Sequence, residues 1–212
     1  MLKIKNKLGF ITVFVLSFLP LVFWLVMSPF ASRIVNLSAI LTSLGQISGL
    51  VGMAMFACVF VLSGRFKFLA GYFGGMNKVY DAHHFFGALS FILLLFHPLF
   101  LAGQYLLISV FSAADFILPG ADWAINFGIF GLLFLILFLV ITFFVKLPYQ
   151  RWRLTHKFLG LAFFLAGLHS FLITSDISRS FSLRAYLLAL TCIALLVYGY
   201  RTILSKILIT KK

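Results

Sequence analysis

The sequence predicts an all-α protein: a polytopic membrane protein that forms one six-transmembrane-helix bundle over residues 1–212. Hydrophobic residues make up 63% of the chain and charged residues only 10%, a composition far outside that of soluble domains. A membrane-spanning helix needs about 20 predominantly apolar residues, and six stretches reach or approach that length. The connections between them are brief, so the chain has no room for a separate soluble domain.

The six predicted spans follow one another at short intervals. The first, 8–28, is a longer uncharged run than the apolar region of a secretory signal peptide, so we expect a retained helix. The second, 40–62, contains Gly45 and Gly49 in a GxxxG pattern that predicts close packing inside the bundle. The third and fourth cover 82–107 and 123–145, the fifth 155–174, and the shortest, 185–200, ends the series.

The basic residues are distributed unevenly between the two sides of the predicted membrane. The formal net charge is +13, and with the N-terminus inside, most lysines and arginines fall on the cytoplasmic side. They are Lys3, Lys5, Lys7, Arg65, Lys67, Lys78, Lys146, Arg151, Arg153, Lys157, Arg201, Lys206, Lys211 and Lys212. This asymmetry predicts an integral protein of the cell's inner or plasma membrane with both termini cytoplasmic. It also favours the lipid bilayer, and not nucleic acid, as the partner of the basic residues.

Two pairs of histidines lie inside predicted spans, where an ionisable residue is costly and indicates a functional site. His83 and His97 are 14 residues apart in the third span, and His156 and His169 are 13 apart in the fifth. At 1.5 Å per residue each pair is separated by about 20 Å along its helix. Both helices run in the same direction, so the sequence predicts two layers with one histidine from each helix. A lone histidine is more often a satisfied core residue, but the four together favour two stacked haems with two axial histidines each.

The local sequence around the histidines predicts further details. His83 and His97 share a helix face, whereas His156 and His169 are roughly 140° out of phase in an ideal helix. A tilt, kink or π-bulge is needed to bring the second pair into line. Each inner histidine begins an HxxxG pattern, whose Gly87 or Gly160 would leave room for a porphyrin. Asp81 is a candidate either to orient an imidazole or to cap the helix, and His84 is expected to be an interfacial neighbour, not a ligand.

These residues resemble the ferric reductase-like transmembrane family, which includes NADPH oxidases and iron-chelate reductases. The segment from Lys78 to His83, the HxxxG repeats and the histidine intervals carry the resemblance. It implies an inner haem b on His83 and His156, and an outer haem b on His97 and His169. It also implies an oxidoreductase that passes electrons from a cytosolic flavin/NAD(P)H-linked donor to an extracytoplasmic ferric chelate or oxygen.

The chain departs from the family pattern at three points. Longer members continue into FAD- and NAD(P)H-binding domains, so these cofactors are expected on a missing domain or on a partner flavoprotein. The related methionine sulfoxide reductase haem subunit typically has arginine where this chain has His83. NADPH oxidases carry an arginine near the outer end of the second span, where this chain has Gln46.

Two alternatives remain open from the sequence. The first is a haem-binding subunit that passes electrons from a flavoprotein or quinone to a periplasmic partner enzyme. The second is a haem-free transporter or scaffold, which is disfavoured because no inverted repeat is visible.

Overall fold

The computed structural model describes the backbone of residues 2–204 and the side chains of residues 7–202. Within this range the chain forms α-helices and no strand. They are α1 (Leu2–Met27), α2 (Leu37–Ser63), α3 (Lys67–Phe73), α4 (Met76–Leu106), α5 (Val110–Ile117), α6 (Trp123–Phe144), α7 (Tyr149–Lys157), α8 (Leu159–Leu172), α9 (Asp176–Arg179) and α10 (Phe181–Gly199). A 3-10 turn covers Phe30–Arg33 and a π-helical turn covers Tyr200–Leu204. The side chains of Lys3, Lys5, Lys206, Lys211 and Lys212, which enter the predicted charge asymmetry, lie outside the described residues.

Five helices of the described chain are long and apolar enough to cross a membrane. They correspond to the first, second, third, fourth and sixth predicted spans and cover Lys7–Met27, Leu37–Ser63, Met76–Leu106, Trp123–Phe144 and Phe181–Thr202. The fifth predicted span differs because α7 and α8 share it, with Phe158 between them. The all-α membrane fold is therefore confirmed, but the described residues hold five such helices where the sequence predicted six.

The break at Phe158 has an identifiable cause in the packing of α10. The hydroxyl of Tyr198 donates a hydrogen bond of 2.9 Å to the carbonyl of Lys157. In a regular helix that carbonyl would accept from the amide of Leu161, which instead donates to Phe158 at 2.9 Å. The chain therefore makes one tight turn of the 3-10 type, not the π-bulge that was one option from the sequence.

The second helix, α2, is the centre of the bundle. Ala54 and Met55 of α2 are completely buried. By contrast, Phe143 and Phe144 of α6 are 74% and 81% exposed, as expected for side chains that face lipid. Apolar side chains on the outer helices are thus placed to face lipid, and α2 supplies the shared core.

Glycines bring two pairs of helices into close contact. A Cβ atom on Gly45 would lie 2.6 Å from Leu101 of α4, and one on Gly49 would lie 2.6 Å from His97 of α4. This confirms the prediction that the GxxxG pattern packs within the bundle. Gly131 of α6 plays the same part against α8, because its Cβ would lie 3.2 Å from the backbone nitrogen of Ala166.

Contacts at the ends of the helices show that neighbouring helices alternate in direction. Thr42, near the start of α2, donates to the side chain of Gln104 near the end of α4 at 2.7 Å. Arg33, just before α2, faces Asp176, just after α8, at 4.0 Å. We call the end of the bundle that contains these residues the Arg33 end. The helices α4 and α8 both run towards it, which matches the predicted parallel arrangement of the two histidine-bearing segments.

Candidate functional site

The structure places His83 of α4 next to His156 of α7. Their ring centres are 6.3 Å apart and their planes make an angle of 60°. The two residues are far apart in sequence, and α5 and α6 lie between them along the chain. We refer to them as the His83 pair.

A second pair with nearly the same geometry lies closer to the Arg33 end. His97 of α4 and His169 of α8 have ring centres 6.3 Å apart, with an angle of 64° between planes. We refer to them as the His97 pair. The break at Phe158 separates His156 from His169 into two helices, so the phase difference of an ideal helix does not arise. The arrangement in two layers, which the sequence predicted, is present in the structure.

Three of the four imidazoles contact a helix carbonyl through Nδ1. The Nδ1 of His83 lies 3.1 Å from the carbonyl oxygen of Val59, and that of His97 lies 2.7 Å from Gly45. The Nδ1 of His169 lies 2.7 Å from the carbonyl of Ala124. A carbonyl can only accept, so Nδ1 must carry the proton and Nε2 keeps its free lone pair. This is the tautomer and the outer partner that a metal-ligating histidine usually has.

His156 is held differently from the other three histidines. Its ring stacks on Trp152, one turn earlier in α7, with centres 5.2 Å apart and planes inclined by 13°. Its Nδ1 is buried and has no hydrogen-bond partner. The register between α6 and α8 that matches Ala124 with His169 would place residue 137 opposite His156. Leu137 is 48% exposed, and its carbonyl makes no hydrogen bond with Nδ1 of His156. The His83 pair is thus less symmetrically supported than the His97 pair.

The two pairs fit the axial ligation of iron. An ion held between two imidazole nitrogens at about 2.0–2.1 Å each would set the ring centres roughly 6–6.5 Å apart. The observed separations of 6.3 Å match this in both layers. Among the described residues, no group of three or more histidine, cysteine or carboxylate side chains could hold a metal ion. A site of the zinc type is therefore not supported, whereas two ligands per ion is a number with which proteins can hold haem iron.

Two roles that the sequence predicted for residues near the histidines are wrong. Asp81 is exposed and pairs with Lys78 at 2.8 Å, so it neither orients His83 nor caps α4, whose N-cap is Gly75. The space beside Gly160 is filled by the ring of Tyr198, so no open cavity for a porphyrin lies there. Gly87 does face nearly open space, with one side-chain carbon of Val59 at 3.8 Å.

His84 remains outside both histidine pairs. Its side chain is exposed, and its ring centre lies 5.8 Å from that of His83. This position agrees with the expected role as an interfacial neighbour.

A buried arginine that the sequence did not single out lies near the His97 pair. The guanidinium of Arg33 stacks over the indole of Trp24 at 3.5 Å and donates to the Trp24 carbonyl at 2.7 Å. The side-chain oxygen of Gln46 accepts from Arg33 at 3.4 Å and from Trp24 at 3.1 Å. Burial lowers the pKa of Arg33, and the carboxylate of Asp176 opposes that shift. Gln46 of α2 is therefore contacted by an arginine from another segment of the chain.

Comparison with known proteins identifies the family to which the chain belongs. The model of a family described as "ferric reductase like transmembrane component" matches residues 48–167, more than half of the chain. The chain belongs to the ferric reductase-like transmembrane family. The matched segment contains His83, His97 and His156, and ends two residues before His169. No curated protein matches the chain. Membership in the ferric reductase-like family implies an oxidoreductase-type role in transmembrane electron transfer.

Proposed function

We propose that this protein transfers electrons across the membrane through two non-covalent b-type haems. The His83 pair would hold one haem and the His97 pair the other. The donor is a cytosolic flavin, reduced by NAD(P)H on a further domain or a partner flavoprotein. The acceptor is an extracytoplasmic ferric chelate or oxygen. Both termini are assigned to the cytoplasm on the distribution of basic residues.

The observation that carries the proposal is the pair of matching histidine layers. Four residues from three helices form two pairs, both with ring centres 6.3 Å apart. His83 and His97 are 14 residues apart on α4, which separates the layers by about 21 Å along the helix. Scattered core histidines have no reason to repeat a distance that suits one metal ion in both layers.

The side chains would act by holding, orienting and shielding. The carbonyls of Val59, Gly45 and Ala124 accept from Nδ1 of three imidazoles. These hydrogen bonds fix the orientation of each ring and leave its Nε2 free to bind iron. A haem iron in such a site carries one electron at a time. Because both histidines of a pair would bind the iron, no position would be left for the acceptor, which would be reduced without binding the iron. The lipid-facing aromatic and aliphatic side chains keep water away from both layers.

The cytoplasmic face would be the end opposite Arg33, where the His83 pair lies. Arg151 and Arg153 of α7 are exposed there, on the same helix as His156. They are suited to contact haem propionates or a flavoprotein, which are acidic partners. Moving one electron outward from a negative interior gains about 2.3 kcal/mol per 100 mV, so the membrane potential favours this direction.

The first experiment is a pyridine haemochrome assay on the purified protein. We expect about two haems b per chain, with low-spin spectra in both oxidation states. A ratio near zero would refute the proposal and favour a transporter or scaffold. A ratio near one would refute the two-layer arrangement.

The second experiment tests the direction of electron transfer. Proteoliposomes would hold a ferric chelate inside, with the reductant outside on the face that contains the His83 pair. We expect the chelate to be reduced when a reduced flavoprotein or dithionite is supplied, but not when NADPH is supplied alone. Fast haem reduction without any reduction of the enclosed chelate would contradict a transmembrane path.

A further inference from the structure

The His97 pair is packed against two glycines on neighbouring helices. A Cβ atom on Gly49 of α2 would lie 2.6 Å from Nδ1 of His97. A Cβ atom on Gly128 of α6 would lie 2.8 Å from Nδ1 of His169. Both distances are shorter than non-bonded carbon–nitrogen contacts allow, so any larger residue would displace the ring or the helix.

Each glycine lies four residues after the carbonyl that its histidine contacts. Gly45 accepts from His97 and precedes Gly49, while Ala124 accepts from His169 and precedes Gly128. In an α-helix the side chain of a residue covers the turn before its own Cα atom. A glycine at this position therefore uncovers the carbonyl one turn earlier and lets an imidazole from another helix reach it.

The His83 pair lacks this arrangement, and its contacts differ accordingly. His83 approaches the carbonyl of Val59, and the residue four positions later is Ser63, which has a Cβ atom. The distance there is 3.1 Å, compared with 2.7 Å at both histidines of the His97 pair. His156 has no carbonyl partner for its Nδ1 at all.

We propose that Gly49 and Gly128 are positioning residues for the haem of the His97 pair, an inference that rests on the proposed function. By exposing two helix carbonyls they give His97 and His169 short Nδ1 hydrogen bonds and fixed ring orientations. A hydrogen bond of this kind makes the imidazole a more electron-rich ligand. Such a ligand favours the ferric state, so these glycines lower the midpoint potential of the haem at the His97 pair.

The test substitutes each glycine by alanine in the full-length protein. Gly49→Ala and Gly128→Ala would be compared with Gly103→Ala and Gly167→Ala as matched controls. A Cβ atom on either control glycine would make ordinary contacts, with Leu41 at 3.5 Å and Thr191 at 3.5 Å as nearest neighbours. Alanine is a better helix former than glycine, so loss of helix stability cannot account for a defect at Gly49 or Gly128.

The measurements are the haem-to-protein ratio, the low-spin electron paramagnetic resonance signals and a redox titration. We expect each test variant to lose the haem of the His97 pair, or to keep it with a higher midpoint potential. The haem of the His83 pair should be unchanged in both variants, and the controls should match the wild type. His97→Ala and His83→Ala variants identify which signal belongs to which pair.

Three results would separate the possible failures. Test variants with two haems and unchanged potentials would overturn the positioning role and leave the proposed function intact. Loss of both haems would also overturn it, because it would indicate a general packing role. A wild-type protein without haem would instead refute the proposed function itself.

Discussion

Paired substitutions of the histidines give the sharpest test of how the two layers are built. The His83→Ala/His156→Ala variant and the His83→Ala/His97→Ala variant each remove two histidines. In the first variant the two side chains belong to one pair across two helices. In the second they lie on the same helix, 14 residues apart. The geometry therefore predicts different haem contents for two variants that carry equal numbers of alanines.

The expected values follow from the distances. His83 and His156 have ring centres 6.3 Å apart and would share one iron, so their joint removal should leave one haem per chain. His83 and His97 are separated by about 21 Å along α4 and would serve different irons, so their joint removal should leave none. Sites more than about 7–10 Å apart usually respond independently to mutation. The haem that remains in the first variant should thus keep its wild-type midpoint potential to within a few tens of millivolts.

The assay is the pyridine haemochrome ratio, with a redox titration of the same samples. His84→Ala serves as the control, because this exposed residue lies outside both pairs and its variant should retain two haems. Equal haem contents in the two double variants would refute the pairing across helices. Loss of a haem in His84→Ala, together with retention of both in His83→Ala, would show that the ligand at this level is misassigned.

Two further predictions concern residues outside the four histidines. Arg33→Gln should lower the free energy of unfolding by on the order of 3 kcal/mol, since it leaves the largely buried carboxylate of Asp176 without its counter-charge. Thermal unfolding in detergent measures this loss. The Arg33→Gln/Asp176→Asn variant should lose less free energy of unfolding than the two single variants together. Additive losses would contradict an interaction between Arg33 and Asp176. Trp152→Ala should weaken haem retention at the His83 pair, because stacking on Trp152 supports His156, whose Nδ1 has no hydrogen-bond partner. Tyr149→Ala, which removes an exposed ring from the same helix, is the control, and equal haem loss in both variants would contradict this role.

Hydropathy predicted the apolar parts of the long helices better than the residues at which these helices begin. The third span was predicted from residue 82, but α4 begins at Met76. Its first turns carry Lys78 and Asp81, which pair with each other at 2.8 Å in an exposed position. Charged residues that project beyond the lipid continue a helix without contributing to an apolar pattern. An apolar pattern therefore marks the part of α4 in contact with lipid and misses its polar start.

The break between α7 and α8 could not be located from the local sequence. Lys157, Phe158 and Leu159 are neither proline nor glycine, and all three are compatible with a continuous helix. The break depends on Tyr198. Its hydroxyl donates a hydrogen bond to the Lys157 carbonyl, and its ring fills the space beside Gly160. The 13-residue interval did show that a regular helix could not align His156 with His169. The sequence thus predicted that a distortion was needed, and a distant side chain determined where it occurs.

The partners of the imidazoles were the least predictable part of the site. From the sequence, Asp81 is a candidate either to orient an imidazole or to cap the helix, whereas in the structure the backbone carbonyls of Val59 and Gly45 contact His83 and His97. Every residue has a carbonyl, so composition cannot single these out. One regularity was available: positions 45 and 59 of α2 are separated by the same 14 residues as His97 and His83 of the antiparallel α4. Antiparallel helices in register match equal intervals in this way, so the contact between Gly45 and His97, once known, places residue 59 beside His83.

The short length of α8 has a consequence for how the protein enters the membrane during synthesis. Its 14 residues extend about 21 Å, which is less than the roughly 30 Å of hydrocarbon in a bilayer. The preceding α7 carries Arg151 and Arg153 and resists burial in lipid. The segment with His169 is therefore a poor candidate to partition into lipid alone as it leaves the translocon. We expect it to enter together with α6 as a helical hairpin, because Gly131 of α6 packs closely against it. Insertion of His169 would thus depend on α6, a helix that is synthesised before it.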